Sequence, residues 1–179
     1  YKNIEIQFYK KLVLWTIPCI VFFLYIISFA SISINSFIGA FLILIALKEI
    51  NALVSRGIHI IIKYETLYLI IMGIIHGMTN LGGALLSAIV FSKSLSKEHT
   101  RATIAICYLT FAIFQIITLV VFLNNYEVFN IINSIYWLSG MVVFFIMEKF
   151  VYLKIDDKAY SKYFALFIFI IGALLLFKG

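Results

Sequence analysis

From Leu12 to Leu47 the chain carries no charged side chain. About 20 helical residues cross the hydrocarbon core of a bilayer, so this block exceeds one span. The polar run Ser31-Ile32-Ser33-Ile34-Asn35-Ser36 divides it into two, near 12–30 and 36–50. Further uncharged blocks run from Leu67 to Ser92, Ala102 to Tyr126, Val128 to Met147 and Tyr163 to Phe177. With 64% hydrophobic and 12% charged residues, the chain has about half the charge usual in a soluble domain. The blocks lack the polar/apolar alternation of barrel strands, and a spanning backbone must satisfy its own hydrogen bonds, so the expected class is an all-α integral membrane protein. The first block runs straight into the second without a convincing small-residue cleavage site, which argues against a cleaved signal peptide. Cys19 and Cys107 both lie inside apolar blocks and suggest neither a disulfide framework nor a metal cluster.

The positions of Lys and Arg discriminate between topologies, because cytoplasmic loops collect them. They fall in groups: Lys2, Lys10 and Lys11; Lys48, Arg56 and Lys63; Lys93, Lys97 and Arg101; Lys149, Lys154, Lys158 and Lys162; and Lys178. If every block crosses once, the two sides receive seven each. If 67–92 instead enters, turns and leaves on the side it entered, thirteen stand against one. Thr79-Asn80-Leu81-Gly82-Gly83 supplies a break in mid-block, and arms of 67–78 and 84–92 are too short to span. The expected architecture is therefore about five spanning helices plus one glycine-broken re-entrant helical hairpin. The alternative is a single long tilted helix with glycines packed against a neighbour. The net charge of +6 reads as this topology signal, with no soluble domain to present a basic face to nucleic acid.

Trp15-Thr-Ile-Pro-Cys-Ile-Val-Phe-Phe-Leu24 aligns without gaps on Trp137-Leu-Ser-Gly-Met-Val-Val-Phe-Phe-Ile146. The loop after the first copy is free of basic residues and that after the second carries four, so the copies are expected to run in opposite directions, as in inverted-repeat transporters. Residues 1–55 then form the end of a first transmembrane repeat, 56–66 a cytoplasmic linker and 67–179 a second repeat. Counterparts of 67–92 and 100–122 are expected either in a missing N-terminal half or from elsewhere, such as a second copy of the chain.

Gly73-Ile-Ile-His-Gly-Met-Thr-Asn-Leu-Gly-Gly-Ala84, followed by Lys97 and Arg101-Ala-Thr103, resembles the second-repeat signature of the sulfite exporter TauE/SafE family, the TSUP permeases. The resemblance covers essentially the whole chain, with 1–50 similar to the end of the first repeat. His76 departs from it, standing where small or apolar residues are expected, and the first-repeat glycine-rich segment is missing. What the resemblance implies is movement of a small anion: sulfite, a sulfonate or a related organic acid.

A half-helix beginning at Gly82, Gly83 and Ala84 near the bilayer midplane would gather unpaired N–H groups and partial positive charge, an anion site without a basic side chain. Thr79 and Asn80 could add donors, and the two glycines could let a ligand approach the backbone. The competing reading is that the glycines permit tight packing and Asn80 caps the second arm. At about 100° per residue, Thr100, Thr103, Cys107, Thr110, Gln115 and Thr118 fall within roughly 140° on the next helix, either lining a pore or hydrogen-bonding to other helices. Gln115 stands out, since an amide needs a partner in hydrocarbon. No Asp or Glu lies deep in a span, which favours an anionic cargo over a cation. His76 is the ionisable residue within an apolar block, either a proton-coupling group or a neutral packed histidine.

Thr79, Asn80, Gly82, Gly83, Thr103 and Gln115 are thus the expected substrate-binding residues, and His76 the residue for proton coupling. The function expected is a permease working by alternating access in the cell membrane, multi-pass, with the lipid bilayer and a small anion as partners. A non-transporting membrane subunit or scaffold is the alternative. His59, His76 and His99 lie in separate segments without Ser-His pairing or metal-ligand spacing, so neither an enzyme, a metal site nor a cofactor is expected.

Overall fold

The computed structural model describes residues 4–30, 34–150 and 157–178. Lys2, Lys154 and positions 31–33 of the expected break between the first two spans lie outside them. The described residues form helices: α1 (Ile6–Phe29), α2 (Asn35–Ile50), α3 (Ala52–Lys63), α4 (Glu65–Thr79), α5 (Gly83–Ser92), α6 (Lys97–Ile117), α7 (Ile131–Phe150) and α8 (Asp157–Lys178). A π-helical turn, Thr118–Phe122, continues α6, and a 3-10 turn, Tyr126–Phe129, precedes α7. The all-α class is therefore observed. Ile6–Phe29 and Glu98–Phe122 are each long and apolar enough to cross a membrane, whereas Glu65–Thr79 and Gly83–Ser92 are shorter apolar helices.

The chain divides into two compact units, one of Tyr1–Ile34 with Arg56–Leu123 and the other of Asn35–Ser55 with Asn124–Gly179. In the first, α1 is the central element. Gly73 and Gly77 let α4 lie directly on the backbone of α1: a β-carbon on Gly73 would meet the Thr16 carbonyl oxygen at 2.7 Å, and one on Gly77 that of Ile20 at 2.8 Å. Small residues four apart share one helix face and allow this approach. The Thr16 hydroxyl adds a bond to the Leu69 carbonyl at 3.0 Å. Contacts that climb together, Lys11 to Glu65, Thr16 to Leu69 and Ile20 to Gly77, show that α1 and α4 run parallel. α1 also meets α6, again parallel, through Glu5 N–H to Thr103 Oγ1 at 3.0 Å and a Tyr9–Thr110 hydroxyl pair at 3.0 Å.

The 67–92 block folds back on itself. Glu65, at the start of α4, pairs with Lys93, just past the end of α5, at 3.1 Å; a straight helix would hold them roughly 40 Å apart. Tyr68 Oη donates to the Leu85 carbonyl across the hairpin at 2.8 Å. Lys11 reaches the other oxygen of Glu65 at 3.1 Å, and Lys93 lies 4.8 Å from the centre of the Phe8 ring. Basic residues from separate segments thereby meet at one end of this unit. Burial there opposes the charge on Glu65, but the hydrogen bonds and charges of Lys93 and Lys11 outweigh it and hold the carboxyl below its ordinary value.

The second unit is built on α2 and α8. Gly39 lies against the Gly172 carbonyl and Leu176, and Gly172 against the Gly39 carbonyl and Ile43, so these helices pack antiparallel at close range. Asn130 caps α7 by accepting from Ile132 N–H at 3.2 Å. Ile131, Ile135, Leu138 and Val142 along α7 are exposed, a surface suited to lipid or protein rather than water.

Candidate functional site

Where α4 gives way to α5, the sequence supplies each feature of the turn. Asn80 stops α4 in the left-handed region, φ 59° and ψ 15°, with its N–H on the His76 carbonyl at 2.8 Å. Asn tolerates this conformation better than most residues. Thr79 donates its hydroxyl to the Ile75 carbonyl at 2.7 Å and accepts from Leu81 N–H at 3.1 Å, tying the exit of the helix to its last turn. Then Gly82 N–H donates to Nδ1 of His76 at 3.2 Å. α5 begins at Gly83 without a side-chain cap, whereas α6 is capped by Ser96, whose hydroxyl accepts from His99 N–H at 3.3 Å. The first N–H groups of α5 lack intrahelical acceptors and carry the positive end of the helix dipole.

α6 closes the site from the side. Its Gln115 amide donates to Oδ1 of Asn80 at 3.2 Å. Phe111 places its ring 4.6 Å from the His76 imidazole. The Tyr108 hydroxyl occupies the space in which a side chain on Gly83 would stand. Spaced three and four apart, these three residues form one stripe. His76, only 2% exposed, has no hydrogen-bond partner at Nε2. Gln115 is near enough to act on the ring; its amide nitrogen is engaged by Asn80, and its amide oxygen does not meet Nε2 in bonding geometry. Leaving such a donor unmet in a buried place costs about 1–3 kcal/mol.

Of the expected site residues, Thr79, Asn80, Gly82, Gly83, His76 and Gln115 come together at the turn. Thr103 does not, which corrects its grouping with them: it is fully buried and accepts from Glu5 N–H, roughly 18 Å along α6 from Gln115. The polar face of α6 is in fact two stripes. Thr103 and Thr110 bond toward α1, while Thr118 returns its hydroxyl to the Phe114 carbonyl at 2.7 Å. All three are buried and hydrogen-bonded within the unit. The space that a side chain would take on Gly82 is filled by His76, and that on Gly83 by Tyr108.

Tyr108, Phe111 and Glu65 were not singled out from sequence. Tyr108 and Gln115 are two turns apart, so their shared face was legible; that it meets the hairpin was not. An apolar crevice of about 670 Å3 between α1 and α6, lined by Pro18, Phe22, Phe114 and Phe122 among others, contains none of the turn's polar residues. No family model matches the chain, and no curated protein or solved structure matches it.

Proposed function

We propose that the chain is a multi-pass integral protein of the cell membrane, a permease of the TauE/SafE kind that moves a small anion such as sulfite or a sulfonate by alternating access. In this reading about five helices span, the α4–α5 hairpin is re-entrant, and the 15–24 and 137–146 segments belong to inverted repeats. The observation that carries it is the uncapped start of α5 at the hairpin turn, with Gly82 buried and neutral polar side chains beside it: Asn80, Gln115, Tyr108 and His76. Such a terminus attracts an anion by up to about 2 kcal/mol where partly buried, far less than desolvating the anion costs. Several donors must act together, and the bound anion stays partly hydrated.

Sulfite uptake into proteoliposomes tests the reading. Asn80→Leu is expected to lower uptake at least tenfold, because it removes the exposed amide at the turn and frees Gln115 from its partner. Lys97→Gln, at the start of α6, is expected to change entry rate or orientation rather than affinity. Normal uptake by the Asn80 variant, with lost affinity in the Lys97 variant, would move the site to the membrane surface.

A non-transporting membrane subunit is the second reading, favoured by one observation. Thr16, Thr103, Thr110 and Thr118 are all buried and bonded within or between helices, as a scaffold requires. Absence of flux from liposomes containing correctly folded protein would select it.

A further inference from the structure

We propose that the anion at the hairpin break is bound together with one proton, which is taken up by His76. This rests on the permease reading and names its coupling ion. The ligand class is a small oxyanion or sulfonate bearing one negative charge.

The argument starts from a single hydrogen bond. Gly82 N–H donates to Nδ1 of His76 at 3.2 Å, so Nδ1 offers a lone pair and the neutral ring carries its hydrogen on Nε2. Protonation would put a second N–H on Nδ1, pointing at the N–H of Gly82. Two donors cannot share that contact. It must open, and the Gly82 N–H is released beside those of Gly83 and Ala84 at the start of α5. One event therefore adds a positive charge to the turn and frees a backbone donor there. An anion gains from both, and by reciprocity an anion at the turn favours protonation.

Nε2–H supplies an independent observation. It is a donor in either state of the ring, it is buried to 2% exposure, and it has no partner. The described groups shown against the ring are neutral: Gly82, just before α5, and Phe111 and Gln115 of α6, while Ile20 and Phe23 of α1 lie against the neighbouring Gly77. Tyr108, against Gly83, is a titratable side chain at the turn, a phenol that stays neutral where imidazole titrates. With no fixed charge among these described groups, the proton itself supplies the charge that balances the anion.

Methanesulfonate is a suitable probe because its own charge does not change between about pH 5 and 8, the range in which histidine titrates. With the full chain in detergent, its affinity is expected to rise about tenfold for each unit of pH decrease while His76 is neutral, then level off. In weakly buffered solution one proton should disappear per anion bound. His76→Asn, whose Oδ1 can still accept from Gly82 N–H, should bind more weakly and without pH dependence. A measurement without any variant is the 15N spectrum of the imidazole, which should show Nδ1 becoming protonated when methanesulfonate is added at constant pH. Binding that ignores pH, a ring still neutral with the anion bound, or proton uptake that persists in His76→Asn would each overturn the proton linkage and leave the permease standing. Failure of the wild-type chain to bind methanesulfonate at every pH would overturn both.

Discussion

Two pairs of glycines sit on the same hairpin and do different things. Gly73 and Gly77 face backbone: the obstacles to a side chain are the Thr16 and Ile20 carbonyl oxygens of α1. Gly82 and Gly83 face side chains, His76 in one case and Tyr108 in the other. A helix backbone, or the His76 β-carbon fixed to it, has nowhere to retreat, whereas the Tyr108 hydroxyl can move by a change of rotamer. The first pair therefore fixes how close α4 lies to α1, and the second lets two polar side chains lean into the start of α5.

The largest expected effect is on the backbone-facing pair. Gly77→Ala should lower stability because overpacking of about 1–3 kcal/mol exceeds the roughly 1 kcal/mol that alanine contributes in a helix interior. Thermal unfolding in detergent measures it. An unchanged or raised midpoint would mean that α1 and α4 are not held at this distance, and the contrast between the pairs would collapse.

The side-chain-facing pair should respond to rescue. Gly83→Ala is expected to be harmful beside Tyr108 and much less so in a Tyr108→Ala background, with a coupling of about 0.5–3 kcal/mol in a double-mutant cycle. No truncation on α1 should rescue Gly77→Ala in the same way. Additive effects at Gly83 and Tyr108 would show that the hydroxyl does not press on the turn.

Smallest is the effect at the foot of α4, where Lys11 from the α1 side and Lys93 from the α5 side meet on Glu65. Lys11 is half exposed, so Glu65→Gln should cost about 1 kcal/mol or less at neutral pH. Because the Glu65 carboxyl is held below its ordinary value of 4.5, its contribution is fully present above about that pH. It is lost as pH falls through the lower folded value. The stability gap between wild type and Glu65→Gln should close in acid, and a gap that widened there would mean the carboxyl is not stabilised by the two lysines.

The proposed fold-back was legible because the charge rule works on counts: Lys11 and Lys93 belong together whatever lies between them, and they meet on one carboxylate. The break at Asn80 was legible because the residues that tolerate it are few. A spacing of four between Gly73 and Gly77 also carried its meaning in the sequence, since it places both on one face. Periodicity alone could not divide α6. Thr103 and Gln115 fall within the same broad sector, yet one turns to α1 and the other to the hairpin. An angular sector says which residues are neighbours on a helix and nothing about which helix they meet.

Composition and charge order by themselves determined that this chain is helical and apolar, and the turn residues determined where its central hairpin breaks. These are local properties, decided by desolvation of the backbone and by which residues accept a left-handed conformation. The position of Gln115 over Asn80, the Tyr108 hydroxyl against Gly83 and the unmet Nε2 of His76 were decided by the packing of three helices. Contacts between residues far apart in the chain depend on relative helix rotation and depth, which close packing fixes and no single segment encodes.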